Sequence, residues 1–351
     1  MIRVGLIGCG FIAKKHLKTL TRFDEVTLVA VSDLSHKNMR EAVDLYQIEG
    51  KRQLSVSFFK NYQDLLKNKE IDVVIVSVIS GLHAEIAKHA LKYGKHVIVE
   101  KPLALSLADI EDIEQLSKTF SKKVFVCHQL RYRPLLQKVK ELIQKGYLGD
   151  LYFGMASLRL NRTSAYFNET AWKGTWDKDG GMLVNQGIHL IDLLIWLMGD
   201  VQSVYGEIAT KIKNKETEDV AAGILSFEND AKGLIEANTI TKPKNLGYFL
   251  SIFAKEGSIC IGGKGLNKIE HAYFENAPEL KEELFQVSNA DEHYLMYQDF
   301  LKALKSNTPY LMTPQEGKRA LEAIFGLYQA TKHQQPIQLP LTDFTTKSMR
   351  D

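Results

Sequence analysis

The sequence predicts an α/β chain of two domains, a doubly wound parallel sheet followed by an α+β domain built on a large open, mostly antiparallel sheet. Three observations carry this. Short β-branched runs alternate with helix-length amphipathic segments through the first third, and a glycine turn follows the first run. After about residue 129 the strands lengthen, begin to alternate, and lose the helices between them. With 351 residues and 45% hydrophobic content, the chain exceeds the roughly 250 to 300 residues at which one core stops growing. We divide it into residues 1–128 and 129–351.

The runs IRVGLI (2–7), VTLVAVS (26–32), DVVIVSV (72–78), KHVIVE (95–100) and KVFVCH (123–128) are continuous in apolar character. Strands covered on both faces read this way. Helices are predicted between them at 12–22, 36–47, 61–68, 82–93 and 106–120. In the second part a helix at 135–145 ends at Gly146 and leads into LYFGMASLRL, VQSVYGEIATKI, VAAGILSF, KGLIEANTI, YFLSIFA and GSICIGG. Two helices, at 290–305 and 314–332, close the chain.

Composition excludes several classes of function. Lys and Arg number 45 against 42 Asp and Glu, a net charge of +3 with no long block of either sign, so there is no electrostatic footprint for nucleic acid or a membrane surface. Apolar stretches such as VVIVSVI at 73–79 fall far short of the ~20 residues that span a bilayer. The N-terminus enters a strand without a secretory pattern, which predicts a cytoplasmic protein. Cys9, Cys127 and Cys260 lie far apart with no CxxC spacing, so buried reduced thiols are expected and no metal.

GLIGCGFIAKKH places Gly8, Gly10 and Ala13 in GxGxxA spacing between a strand and a helix. Gly8 permits the tight turn and Gly10 lets the backbone approach a pyrophosphate. Ala13 allows close helix packing, and the helix start at Phe11 and Ile12 supplies amide donors. Asp33, at the end of the second strand, can accept hydrogen bonds from adenosine ribose hydroxyls and would repel a 2′-phosphate. NAD is therefore favoured over NADP, with Lys37 nearby as the one contrary sign. Read structurally, the same residues would be a space-saving turn and a helix cap.

HVIVEKPLAL, residues 96–105, ends a strand in Glu100, Lys101 and Pro102. The carboxyl ends of parallel strands face the ligand crevice, and Pro102 limits the backbone freedom of Lys101. A lysine there either stabilises a developing alkoxide or is solvated at the surface. The second focus is GGMLVNQGIHLIDLLIWLMG at 180–199, which on one helix aligns Asn185, His189 and Asp192 at i, i+4 and i+7. His189 is either a satisfied core histidine or a base for a hydroxyl proton, the role for which imidazole is best suited near neutral pH.

Together GxGxxA, Asp33, the EKP turn, HQLRYRP at 128–134, AWKGTW at 171–176 and the GG…N…GIHxxD segment resemble the Gfo/Idh/MocA (glucose-fructose oxidoreductase, inositol dehydrogenase) family. The resemblance implies an N-terminal Rossmann domain, NAD(P)-dependent oxidation or reduction of a sugar or cyclitol, and homodimers or homotetramers packed through the second sheet. It implies that Lys101 and His189 act on the reacting hydroxyl, with Glu100, Lys101, His83 and Gln129 at the cofactor. Three positions depart from the family pattern: Asn185 replaces a frequent Asp, VISGLH replaces TPxxxH while keeping His83, and Gln129 replaces a frequent Asn. Residues 241–276 are also similar to a stretch of bacterial dehydrogenases that oxidise C3 of UDP-N-acetylglucosaminuronate. There Lys242, Lys244 and Lys268 could meet a diphosphate or carboxylate and Asn245 and Asn267 sugar hydroxyls, or the segment is an ordinary hairpin with a basic rim. Lys173 between two tryptophans, and Arg159 and Arg162 upstream, complete the expected substrate residues. Free-sugar or inositol oxidation, UDP-N-acetylglucosamine oxidation and a non-catalytic NAD-binding regulator are the alternatives. Between Lys101 and His189 as proton acceptor we favour His189, because a lysine base would have to be depressed far below its usual pKa at about 1.4 kcal/mol per pH unit.

Overall fold

The computed structural model describes residues 1–51 and 55–350, and the chain separates into two compact units. Residues 1–129 and 293–317 form the first, and residues 130–292 and 318–351 the second. The return of 293–317 to the first unit was not legible from the sequence.

In the first unit β1 (Ile2–Ile7), β2 (Val26–Ser32), β3 (Ser57–Phe59), β4 (Val73–Val76), β5 (His96–Val99) and β6 (Val124–Val126) form one sheet in the order β3-β2-β1-β4-β5-β6. Every pairing in it is parallel. The helices α1 (Phe11–Leu20), α2 (His36–Gly50), α3 (Tyr62–Leu66), α4 (His83–Lys92) and α5 (Leu107–Thr119) connect these strands. All four residues of β4 and all three of β6 are buried, which is why their sequences are continuous in apolar character instead of alternating. The short strand β3 was not foreseen: its Ser57 and Phe58 are exposed, so SFF lacks the apolar run that marks its neighbours. The strand order reverses between β1 and β4, and at such a switch point the carboxyl ends of the strands open a crevice.

The second unit holds α6 (Pro134–Gln144), β7 (Leu151–Arg159), α7 (Ser164–Asn168) and α8 (Ile188–Met198), followed by six strands. These are β8 (Val201–Ala209), β9 (Val220–Phe227), β10 (Lys232–Asn238), β11 (Gly247–Ala254), β12 (Gly257–Gly262) and β13 (Lys268–Phe274). Next in the chain come α9 (Glu279–Phe285), α10 (Glu292–Ser306), which belongs to the first unit but for its first residue, α11 (Pro314–His333), which enters the second unit at Lys318, and β14 (Ile337–Gln338). The eight-stranded sheet runs β13-β12-β11-β7-β10-β9-β8-β14 and is antiparallel except between β7 and β10. Its cross-strand neighbours Tyr205 and Ile224 on one pair, and Phe253 with Tyr273 across β12, leave apolar side chains exposed on one face. No helix among the described residues is long and apolar enough to cross a membrane.

Helix α8 is apolar on every side, and all of its residues but His189 are buried. It packs on β7, where Gly154 makes the approach possible: a Cβ there would lie 2.8 Å from Leu194 and 2.9 Å from Met198. Asp192 does not serve the surface that carries His189. It forms a two-pronged pair with the guanidinium of Arg131, 2.8 and 2.7 Å, with side chains 2% and 0% exposed. A buried pair of this kind leaves an uncompensated charge when one member is removed. Asp192→Ala is expected to lower unfolding free energy by about 3 to 5 kcal/mol in urea denaturation.

Candidate active site

Every sequence-predicted cofactor residue of the first unit lies between the carboxyl end of a parallel strand and the first turn of the helix that follows it. Gly8 has φ +88°, and a Cβ there would stand 2.5 Å from the Ser77 carbonyl, so this turn admits no side chain. Gly10 differs: its φ is −79°, and a Cβ would meet nothing within 4 Å. The protein itself therefore does not require glycine at position 10, whereas a pyrophosphate approaching the first turn of α1 would. Phe11 is 93% exposed and Ile12 half-buried at that helix start. Asp33 accepts the Cys9 amide on one oxygen and the Ser35 amide on the other, both at 2.8 Å, which ties the glycine turn to the start of α2. A carboxylate oxygen has a second lone pair to offer, so these bonds are compatible with ribose binding.

Behind the EKP turn is a buried polar chain that the sequence did not reveal. Glu100 accepts from His16 of α1 at 2.9 Å and from the Lys101 amide at 3.2 Å, and the other His16 nitrogen meets the Tyr297 hydroxyl at 2.8 Å. Burial alone would raise the Glu100 carboxyl, but the His16 hydrogen bond, with the positive charges facing it, brings it down to about 2. Lys101 itself is half-buried. His83, expected at the cofactor, has its buried ring nitrogens 2.7 Å from the Pro102 carbonyl and 3.0 Å from that of Val78, so it braces the EKP turn from behind. Burial pushes His83 below the usual histidine range, in favour of the neutral ring. Gln129 is half-buried just past β6. His16, Glu100 and Cys127 place metal-type donor atoms within 4.8 Å of one another. The ring and carboxylate already hold each other, and burial raises the Cys127 thiol well above its usual value, which disfavours the thiolate a metal needs.

In the second unit, residues 183–187 form a π-turn that runs into α8. From Gly180 to Met198 only Asn185, Gln186 and His189 are not fully buried, so the wide turn and the next helical turn open one small polar face. The Asn185 amide donates to Asp179, whose other oxygen accepts the Gly174 amide at 2.8 Å. Close by in sequence, Tyr166 of α7 gathers the expected cations: Arg162 lies over its ring at 5.2 Å and Lys173 at 4.1 Å. Gln186 reaches the Tyr166 hydroxyl at 3.5 Å. Arg162 donates to the Asn161 carbonyl at 2.9 Å and lies 3.4 Å from the Asn245 side chain, while its Nε is buried without an acceptor among the described residues. Lys173 also pairs with Glu169.

Other expected substrate groups stand differently. Lys242 and Lys244 are exposed, Lys268 is paired to Glu270 on β13 at 2.8 Å, and Arg159 is paired to Glu236 at 2.8 Å. Of the two tryptophans, Trp176 is buried edge-on against Tyr328 at 5.2 Å between ring centres, the packing role. Trp172 is half-buried. Sequence reasoning missed Tyr166, Gln186, Asp179 and Glu218. The acidic run ETED at 216–219, set just before β9, was the available signal for the last of these.

Glu218 is fully buried and accepts the Leu183 amide at 2.8 Å and the Tyr328 hydroxyl at 2.6 Å. Burial raises its carboxyl to about 7, against the lowering effect of those hydrogen bonds and of Lys215.

Comparison with known proteins bears on the family and the fold. Residues 2–128 match the family model described as the oxidoreductase family, NAD-binding Rossmann fold, and residues 136–260 match the GFO/IDH/MocA C-terminal domain. Among solved structures, the WlbA dehydrogenase from Chromobacterium violaceum in complex with NADH and UDP-GlcNAcA is 30% identical, with 97% of this chain and 96% of that one covered at a TM-score of 0.91. The WlbA dehydrogenase from Bordetella pertussis, in complex with the same two ligands, is 29% identical, with coverage of 97% and 99% and a TM-score of 0.87. The myo-inositol 2-dehydrogenase of Thermotoga maritima is 23% identical over 96% of this chain and 98% of its own.

Two outcomes test this geometry. Gly10→Ala is expected to unfold within about 0.5 kcal/mol of the parent yet to bind NADH at least ~10-fold more weakly in fluorescence titration, whereas Gly8→Ala should lose roughly 1 to 3 kcal/mol of stability. For Glu218 the folded pKa is raised, so its contribution is complete below the unfolded carboxyl range and is lost as pH rises through about 7. Measured by urea unfolding, the parent should therefore lose roughly 3 kcal/mol relative to Glu218→Gln between pH 4.5 and pH 8.

Proposed function

Because the chain belongs to the Gfo/Idh/MocA family of NAD-dependent sugar and polyol oxidoreductases, we propose that it oxidises a secondary hydroxyl, at C3, of a nucleotide-activated amino sugar such as UDP-N-acetylglucosaminuronate. The observation that carries this reading is the likeness, over nearly the whole chain, to WlbA dehydrogenases holding NADH and UDP-GlcNAcA. The Tyr166 cluster agrees with it in chemistry. A buried guanidinium N–H without an acceptor is costly to leave so, and an anionic substrate oxygen would satisfy it.

Bound NAD+ supplies the hydride acceptor for this oxidation. His189 accepts the hydroxyl proton, a role worth about 10² to 10⁴-fold in rate. Lys101, its amide held by Glu100, steadies the sugar oxygen as negative charge develops. Asn185, held by Asp179, binds a neighbouring sugar hydroxyl and, as a neutral amide, relays no proton. Arg162, Lys173, Lys244 and Asn245 bind the diphosphate or the carboxylate. Asp33 faces the adenosine ribose and selects NAD. A homodimer or homotetramer, packed through the face that carries Ile224 and Phe253, and a cytoplasmic setting complete the reading.

The test is calorimetric titration of NAD-loaded protein with UDP-N-acetylglucosaminuronate, UDP-N-acetylglucosamine, UDP and myo-inositol, while reduced nicotinamide absorbance is followed. Binding and reduction are expected with the uronate, and turnover with myo-inositol alone would replace this reading by cyclitol oxidation. His189→Ala should lower kcat by at least ~100-fold. Arg162→Met should raise the KM for the uronate by about 10-fold or more with a smaller change in kcat.

A further inference from the structure

The start of the Asn185–His189 segment has a weak point. Helix N-termini leave amide groups without intrahelical partners, and here the Leu183 amide is taken by the carboxylate of Glu218, thirty-five residues away, at 2.8 Å. The Tyr328 hydroxyl of α11 holds the same oxygen at 2.6 Å. Gly181 is pressed onto this carboxyl: with φ +105°, a Cβ there would strike the Tyr328 hydroxyl and stand 2.6 Å from the other Glu218 oxygen. That second oxygen has no hydrogen-bond partner among the described residues. The backbone that turns toward Asn185 thus rests directly on one buried carboxyl group.

The structure assigns to Glu218 a positioning role: its carboxylate holds the start of the π-turn and thereby sets where Asn185 and His189 stand, and gain of a proton at Glu218 shifts them. This rests on the reading of His189 as the base. Glu218 touches neither sugar nor cofactor in that reading, so its effect passes through the helix start. Four titratable groups lie around it. Tyr328 donates from α11, and burial raises its phenol well above the usual range, so it remains a donor. Lys215, on the same loop, donates to the Glu218 carbonyl at 2.8 Å but is paired with Asp219 at 2.7 Å. Asp179, which carries the Gly174 and Asn185 amides, and the buried Asp219 are the other acids named here. Burial places the Glu218 carboxyl at about 7, so a charge change there falls inside the working range of a dehydrogenase.

The experiment is NMR of the full chain labelled with ¹⁵N-leucine and ring-¹³C histidine, in the parent and in Glu218→Gln, which keeps an oxygen for Leu183 and Tyr328 but carries no charge. The Leu183 amide in the parent should move with a midpoint near pH 7, lose that movement in the variant, and be accompanied by a displaced His189 ring signal. A Leu183 amide without inflection between pH 5.5 and 8.5, or a His189 signal identical in the two proteins, would overturn the proposal. Kinetics with UDP-N-acetylglucosaminuronate separate it from the base assignment. Glu218→Ala should cost about 10- to 100-fold in kcat with the KM for NAD+ little changed, and the same change placed on His189→Ala should cost nothing further. An equal loss in both backgrounds contradicts action through His189. If His189→Ala alone kept full turnover, the base assignment would fall while the NMR result would still judge the positioning role.

Discussion

Burial of the helix that runs from Met182 to Met198 is the constraint on which the second unit depends. A helix apolar on all sides gains by removing its surface from water, but each polar group that goes with it must find a partner. Arg131 answers Asp192, Glu218 answers the Leu183 amide, and Asp179 answers Asn185. What remains at the surface is a short polar face of Asn185, Gln186 and His189. Polar function here is the residue of a packing problem: the π-turn and the first turn of α8 leave these three side chains half-buried while the rest of the helix stays buried.

The first unit solves a different problem with the same economy of partners. Its parallel sheet brings Gly8, Asp33, Glu100 and Gln129 to one edge because every strand points the same way. Fixing those groups in place needs polar contacts beneath the surface, and His16, Tyr297 and His83 supply them to the EKP turn. The contrast between Gly8 and Gly10 separates a glycine that the fold requires from one that a ligand requires.

Much of this was legible in the sequence because it is local. Continuous β-branched runs identified five of the six parallel strands, and GxGxxA, Asp33 and EKP are each read within a few residues of a strand end. The doubly wound first sheet and the mostly antiparallel second sheet follow from the change in strand texture near residue 129. What was not legible depends on distant partners. β3 is three residues with an exposed face, so it has no apolar signature. Glu218 meets Leu183 and Tyr328 across 35 and 110 positions, and no periodicity links residues so far apart. Asp192 has the right spacing to share a face with His189, yet its buried pair with Arg131 gives it a structural task. His83 stands at a position expected at the cofactor, and no sequence spacing showed that its ring lies between the carbonyls of Pro102 and Val78.

The most direct measurement is the fate of the hydrogen on carbon 3 of UDP-N-acetylglucosaminuronate. With the substrate deuterated at that carbon and incubated with NAD+ and the protein, this account predicts deuterium at C4 of the reduced nicotinamide, seen by NMR, together with a 3-keto sugar. Reduced nicotinamide that carries only protium while the deuterium stays on the sugar, or no reduction with this substrate at all, would contradict it.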